Sequence, residues 1–327
     1  MTDITVIILT YNEEIHIKRC LENVRSFASK VYVIDSFSND KTVEIAKEMG
    51  AEVVPHKWPG NQAEQFNWAL RNIQIDTEWV FRLDADEYLL PELIDEIKQK
   101  TVALPDNISG ITFKRRHIFL NKWMKRGTYP VKILRMFRYG KAVCEQRLMD
   151  EHIQLLEGEN IEFENDFVDH NLNDISWWLQ KHIGYATREA AELLDVEFSI
   201  TNNNSAARLL SPQTLRKRKL KLKYAKQALF WRSFAYFCYR YFFKLGFTEG
   251  KEGFLWHYMQ GWWYRTLVDA KILEVRKECG KNKEKVKEYI SKNWGISLEE
   301  DLTNINKTGG VIYNLLTYQT AERRIAA

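Results

Sequence analysis

Glycine-rich phosphate loops are missing from this chain. Neither G-x-G-x-x-G nor G-x-x-x-x-G-K-[S/T] occurs, which removes the main support for a dinucleotide fold or a P-loop enzyme. Cysteine is scarce: Cys20, Cys144, Cys238 and Cys279 lie far apart and form no C-x-x-C pair. That argues against a disulfide framework or a zinc knuckle and suits a reducing cytoplasm. No signal-peptide pattern precedes the first apolar run, which fits the same expectation. Nor is there a stretch of about 18 apolar residues, so no helix is expected to span a bilayer.

What is present is the composition of a folded protein, 45% hydrophobic and 28% charged over 327 residues. The first 140 residues alternate strand and helix patterns. "ITVIILT" (4–10), "KVYVID" (30–35), "AEVVP" (51–55) and "EWVFRLD" (78–84) read as strands. Helices are expected over about 13–27, 39–49 and 60–73, with Gly50 as a C-cap and Pro91 in the first turn of a fourth. Strands joined through helices imply a parallel sheet with right-handed crossovers. "GITFKRRHIF" (110–119) and "VKILRMFR" (131–138) read as antiparallel additions. From about Ser176 the pattern turns helical, with a charged helix expected around 274–292. The polar break "TNNNS" (201–205) divides the chain into a catalytic domain over 1–200 and a helical extension over 201–327.

Three strands end in polar, acid-bearing turns: "TYNEE" (10–14), "DSFSND" (35–40) and "DADE" (84–87). One such end is adequately explained as a helix cap. Three at one edge of an open α/β sheet are better explained as one site, because ligands bind outside the carboxyl ends of the strands. Asp84 and Asp86 present two carboxylates one residue apart, which suits Mg²⁺ or Mn²⁺ bridging to phosphate oxygens.

"VIILTYNEE", "VYVIDSFSNDKT", "QFNWAL" and "VFRLDADE", in that order and spacing, resemble the nucleotide-sugar half of family 2 glycosyltransferases of the GT-A fold. The resemblance covers roughly residues 1 to 190 and is nearest to bacterial enzymes of lipopolysaccharide core, capsule and exopolysaccharide assembly. It implies a mostly parallel, Rossmann-like sheet flanked by helices, and inverting transfer from a nucleoside-diphosphate sugar, usually UDP-linked. By the same resemblance Thr10, Tyr11 and Glu13 line the base and ribose, Asp35 bonds the base and Asn67 faces the nucleotide. Asp84 lies near ribose and metal, Asp86 is the metal ligand, and Glu87 supports them. "VIDSFSND" lacks the second acid and the glycine of the commoner "VDDGSTD".

Inversion needs a general base for the acceptor hydroxyl. "RLMDEHI" (147–153) resembles the family's acidic pair, with Glu151 as the base, Asp150 as its neighbour and His152 a lesser candidate. His170 lies where relatives place a histidine that completes the metal or touches the diphosphate; a hydrogen-bonded loop histidine is the alternative. Arg135 and "KRRH" (114–117) are candidate phosphate contacts or solvated cations, and Trp177 and Trp178 read as core.

Charge in the extension is one-sided. From Arg208 to Lys251 there are twelve Lys or Arg against one acid, Glu249, and seventeen of the forty-one residues 224–264 are aromatic. An interfacial helix on anionic lipid fits both features, with Arg216, Lys217, Arg218, Lys219, Lys221 and Lys223 as the basic cluster. A purely structural helical subdomain is the alternative; no nucleic-acid motif accompanies the pattern. The expectation is a peripheral enzyme on the inner face of the cell membrane, acting on a saccharide or lipid-linked acceptor. A sugar nucleotidyltransferase would need a glycine-rich loop that "TYNEE" lacks, and a non-catalytic adaptor would not need Asp86 and Glu151.

Overall fold

The computed structural model describes residues 3–147, 149, 151–201, 219–220 and 223–298. Strand β1 (Ile4–Thr10) is buried along its length with only Leu9 partly exposed, as an unbroken β-branched run requires. Strands β2 (Lys30–Asp35), β3 (Glu52–Pro55) and β4 (Trp79–Asp84) join it in the parallel order β3-β2-β1-β4. The crossovers are α1 (Ile17–Val24), α2 (Thr42–Glu48) and α3 (Gln62–Asn72). The chain steps outward from β1 to β3 and then returns past β1 to β4. That reversal makes the carboxyl ends of β1 and β4 the topological switch point, where a ligand crevice opens. Register sets Thr10 beside Asp35 and Leu9 beside Asp84.

Period-two alternation gives the sheet two apolar faces. Val6, Ile8 and Phe81 pack with Cys20 and Leu21 of α1 and with Leu93 and Ile97 of α4 (Pro91–Lys100). Ile7, Ile34 and Val80 pack with Phe66 and Leu70 of α3.

Further strands widen the sheet: β5 (Glu87–Leu89), β6 (Ile108–Phe119), β7 (Lys122–Trp123) and β8 (Val131–Arg138). Strand β8 inserts antiparallel between β4 and β6, as the sequence leads one to expect. After the two-stranded ribbon of β9 (Ala142–Cys144) and β10 (Ile153–Leu155) comes β11 (Glu159–His170). It runs parallel to β6 and antiparallel to β5. Its polar alternation conceals it in the sequence, yet it delivers Asp169 and His170 to the crevice. The mixed α/β architecture, parallel at its core and flanked by helices, is the one the sequence pattern implies.

The long helix α5 (Ile175–Phe198) starts at Asp174, whose carboxylate accepts the Trp177 N–H at 2.8 Å. Downstream lie α6 (Trp231–Cys238), α7 (Gly250–Trp256), α8 (Tyr264–Cys279) and α9 (Lys283–Trp294). π-Helical turns at Tyr239–Phe243 and His257–Trp263 continue α6 and join α7 to α8. The single charged helix expected over 274–292 is instead two, because Gly280 takes φ +62° and Asn282 caps α9. Ala190 and Leu194 of α5 share a core with Val268, Ile272 and Val275 of α8 and Ile290 of α9. Thus α5, on the near side of position 200, packs with helices on the far side. The polar break at 201–205 lies outside the described residues except for Thr201.

Candidate active site

At the base end of the crevice, Asp35 is almost fully buried and both of its oxygens are engaged. It accepts from Thr10 Oγ1 at 2.9 Å, Ser38 Oγ at 2.6 Å and Ser38 N at 2.8 Å. The first two strand-end loops are stitched together: Ser38 Oγ accepts from Asn12 N and Asn12 Oδ1 from Asn39 N. The rings of Tyr11 and Phe37 stand exposed at the rim. Glu13 lies one turn lower, its carboxylate 2.6 Å from Nδ1 of the buried His16. His16 Nε2 accepts the Leu172 N–H at 2.8 Å, which fixes the tautomer and ties the first loop to the turn after β11. Asn67 uses its amide to accept from Cys144 N (2.8 Å) and donate to Cys144 O (2.7 Å), so its side chain fastens α3 to β9.

The central cluster is built on the ends of β4, β5, β8 and β11. Arg135 donates to Asp84 Oδ2 at 3.0 Å and to Glu87 Oε1 at 2.5 Å, and Glu87 Oε2 accepts the Asp84 N–H at 2.9 Å. The buried Oδ1 of Asp84 accepts no hydrogen bond; Arg82 Nε, at 4.0 Å, is too far. Asp86 accepts from Asn171 Nδ2 at 2.9 Å, and its carbonyl accepts the His170 N–H. The His170 ring is held between Arg19 (3.3 Å) and Asn121 (3.1 Å). Asp169 lies 3.3 Å from Arg115 and 3.2 Å from His117.

Burial and neighbouring charge push these carboxyls apart. Burial raises Asp84, but Arg135 and Arg82 outweigh it and hold Asp84 below its ordinary range. Asp86 is raised, by burial and then by the charge of Asp169. Burial pushes Glu87 up to about 8 against the pull of Arg135. Asp169 is also buried, yet His117 and Arg115 hold it low. Lys181 of α5 is raised despite burial, through Tyr185 and Asp86.

No group of three His, Cys, Asp or Glu side chains able to hold a metal exists among the described residues. Asp84 keeps an unpartnered buried oxygen, and Asp86, two residues on, is a buried carboxylate whose charge is disfavoured as it stands. That donor set fits a hard divalent cation which takes one or two carboxylates from protein and its other oxygens from phosphate and water.

Arg82 links this cluster to β9, its Nη1 lying 3.3 Å from Cys144 Sγ. Burial raises the Cys144 thiol to about 11, and among the charges acting on it Arg82 lowers it and Glu151 raises it. The partly buried Glu151, on the loop into β10, is within electrostatic reach of Cys144. Asp150 lies outside the described residues. Reasoning from sequence passes over Asp169, Arg19 and Lys181; the pairing of β11 with β6 and β5 is the signal that places Asp169 and Arg19's partner His170, and no local motif carries it. Over this cluster the helical region closes, with Trp256 stacked on His117 at 4.2 Å.

Residues 5–154, a little under half of the chain, match the family model described as Glycosyl transferase family 2. Among similar curated proteins is an uncharacterized glycosyltransferase of Rickettsia typhi, 38% identical over 98 residues, 30% of this chain and 32% of that one. Glycosyltransferase SunS of Bacillus phage SPbeta is 36% identical over 87 residues, 25% of this chain and 20% of that one. The chain thus spans about a third or less of the length of these relatives. Among solved structures, mannosyltransferase PcManGT from Pyrobaculum calidifontis, in complex with GDP-Man and Mn²⁺, overlaps 83% of this chain and 87% of its own. Its TM-score is 0.49 and its identity 17%.

Proposed function

We propose that this protein is an inverting glycosyltransferase that moves a sugar from a nucleoside-diphosphate sugar, UDP-linked in the first instance, to an acceptor hydroxyl. The observation that carries this reading is the carboxylate cluster at the switch point of a family 2 domain. Asp35, with Thr10 and Tyr11, receives the base and ribose, and Glu13 supports that loop through His16. Asn67 keeps β9 against α3. Asp86 and Asp84, with His170 beside them, would hold Mg²⁺ or Mn²⁺, which supplies positive charge to the leaving diphosphate. Arg135 and Arg82 keep Asp84 ionised for that role. Glu151, with Asp150 as its neighbour, takes the acceptor proton as the sugar is displaced in line.

The acceptor in this reading is a lipid-linked saccharide or a lipopolysaccharide-type core, reached from the inner face of the cell membrane. Exposed rings at Trp231, Phe242, Phe243 and Phe247 support a surface-bound enzyme. Among the described residues no helix is long and apolar enough to cross a membrane. Of the basic cluster over 216–223, only Lys219 and Lys223 fall among the described residues, and both are exposed.

Nucleotide release measured over a panel of nucleotide sugars, with and without Mn²⁺, tests the reading. Release of UDP from one donor that depends on Mn²⁺ is the expected result. No release from any donor, with saccharide acceptors present, would sink it.

A further inference from the structure

The guanidiniums around the carboxylate cluster are committed. Arg135 serves Asp84 and Glu87, and Arg115 lies 3.3 Å from Asp169. Arg19 donates to the backbone carbonyls of Asp86 and His170 at 3.1 and 2.6 Å. Lys181 is different. Its ammonium pairs with no carboxylate among the described residues: Glu13 and Asp169 take His16 and His117 instead, and Asp86 takes Asn171. Its near neighbours are the rings of Trp177 and Tyr185, one turn to either side on α5, with centroids 4.5 and 5.8 Å from Nζ.

Helix α5 brings this ammonium to the crevice because the chain is fastened there just ahead of the Asp174 cap. Asn171 donates to Asp86 at 2.9 Å, and the Leu172 N–H donates to His16 at 2.8 Å. Glu13, Asp86 and Asp169 come from three separate segments: the first strand-end loop, the turn after β4 and the end of β11. All three interact with the charge of Lys181. On Asp86 that charge acts more strongly than Asp84 does from two residues away. An ammonium felt from three sides lies between them. Burial would lower it, but Tyr185, Asp86 and Glu13 outweigh burial and hold it above its ordinary value, so it stays charged. Lys181 is thus a half-buried cation set among acids without closing on any.

We infer that Lys181 is a catalytic residue that contacts the diphosphate of the sugar donor and stabilises it as the leaving group. This rests on the transferase reading above, which sets the diphosphate beside Asp86. As the anomeric C–O bond breaks, its electron pair passes to the β-phosphate oxygen. The acceptor oxygen bonds the anomeric carbon and yields its proton to the general base. Lys181 stays protonated throughout and donates N–H to a phosphate oxygen. A compact point charge on a flexible stem suits that contact. Positive charge placed where negative charge develops favours the transition state.

The test is calorimetry on the full chain with UDP, GDP and the matching nucleosides in the presence of Mn²⁺, and with Mn²⁺ alone. Lys181→Met should weaken whichever diphosphate wild type binds by about tenfold or more, since a hydrogen bond to a charged group is lost. The matching nucleoside should bind as it does to wild type, because the Asp35 end of the crevice is untouched. Mn²⁺ alone should bind no more weakly, because removing one cation beside Asp86 favours another. Lys181→Arg, which keeps the charge, should recover much of the loss. Should circular dichroism show Lys181→Met misfolded, Lys181→Gln takes its place with the same expectations. Unchanged diphosphate affinity in the variant overturns the assignment and leaves the transferase reading standing. Diphosphate and nucleoside weakened in proportion, or Mn²⁺ weakened with them, makes Lys181 a support of the crevice and overturns it as well. A wild-type chain that binds neither diphosphate overturns the transferase reading and this assignment with it.

Discussion

Arg135 and Arg240 are both buried arginines, and they sit in opposite surroundings. Arg135, on β8, reaches two carboxylates, Asp84 and Glu87, with one hydrogen bond to each. Arg240, at the π-helical turn after α6, has one side-chain amide and no acid within ion-pair distance among the described residues. The first region is arranged around acids and leaves carboxylate oxygen over, which suits a cation. The second is arranged around guanidinium and leaves N–H groups over, which suits an anion. One chain thus carries complementary demands at two places, linked by the His117–Trp256 stack between sheet and helices.

The sharpest way to break the comparison is Arg135→Met. It strands Asp84 and Glu87 as buried acids with no shared counter-charge, a change expected to cost about 3–5 kcal/mol. Chemical denaturation should show the loss, with Asp84→Asn in the same chain recovering part of it. A variant as stable as wild type would mean that the ion pair contributes nothing net.

Asp86→Asn is expected to lower turnover by about 10²–10³-fold, the range for removing a group that stabilises developing charge. The fold should persist, because among the described residues Asp86 has only Asn171 as a side-chain hydrogen-bond partner. Calorimetry should show loss of Mn²⁺-dependent UDP binding; unchanged affinity in the variant would remove Asp86 from the metal role.

Much of this first region is legible in the sequence and little of the second is. Thr10, Asp35 and Asp84 are placed by strand ends, and a strand end is a local pattern of apolar run and polar turn. Asp169 and Arg115 depend on β11 lying between β6 and β5, a non-local pairing written in no motif. Asn67 shows the limit from the other side: its position on α3 is readable, but its bonds to Cys144 depend on a ribbon residue 77 positions later. In the helical region the aromatic and basic composition is plain, while the π-helical turns that bury Arg240 and His257 follow from packing alone.

Glu151→Gln should keep donor binding and lose transfer by about 10²-fold, the lower order for general base catalysis. Isothermal binding of UDP beside single-turnover transfer separates the two effects. A dead Asp150→Asn beside an active Glu151→Gln would move the base by one residue.

A gentler effect concerns pH. The Glu87 carboxyl, with an ordinary value of 4.5, is held near 8 in the fold, so the folded state binds the proton more tightly. Its contribution to stability is fully present below about 4.5 and is lost as pH rises toward 8. Asp84, held low, acts with the opposite sign and loses its contribution as pH falls. Stability should therefore decline on the alkaline side, and Glu87→Gln should flatten that limb alone. An identical slope in the variant would show that Arg135 keeps Glu87 ionised throughout.

The smallest effect sharpens the comparison most. Phe137 and Phe243 are both phenylalanines near an arginine-bearing segment, yet Phe137 is fully buried under β4 and α3, and Phe243 stands 79% exposed. Truncating a buried Phe costs about 3–5 kcal/mol through lost transfer and the cavity left behind. Phe243→Ser removes almost no buried area, so its stability change should lie within about 0.5 kcal/mol. If the ring has no role in solution, its exposure is explained only by a surface it meets elsewhere. Denaturation midpoints for wild type and Phe243→Ser should coincide, while sedimentation with phosphatidylglycerol vesicles should fall, and the fall should persist at high salt because ring insertion is not screened. Should the midpoint shift as it would for Phe137→Ser, the ring is packing and not waiting, and the two regions differ in charge alone.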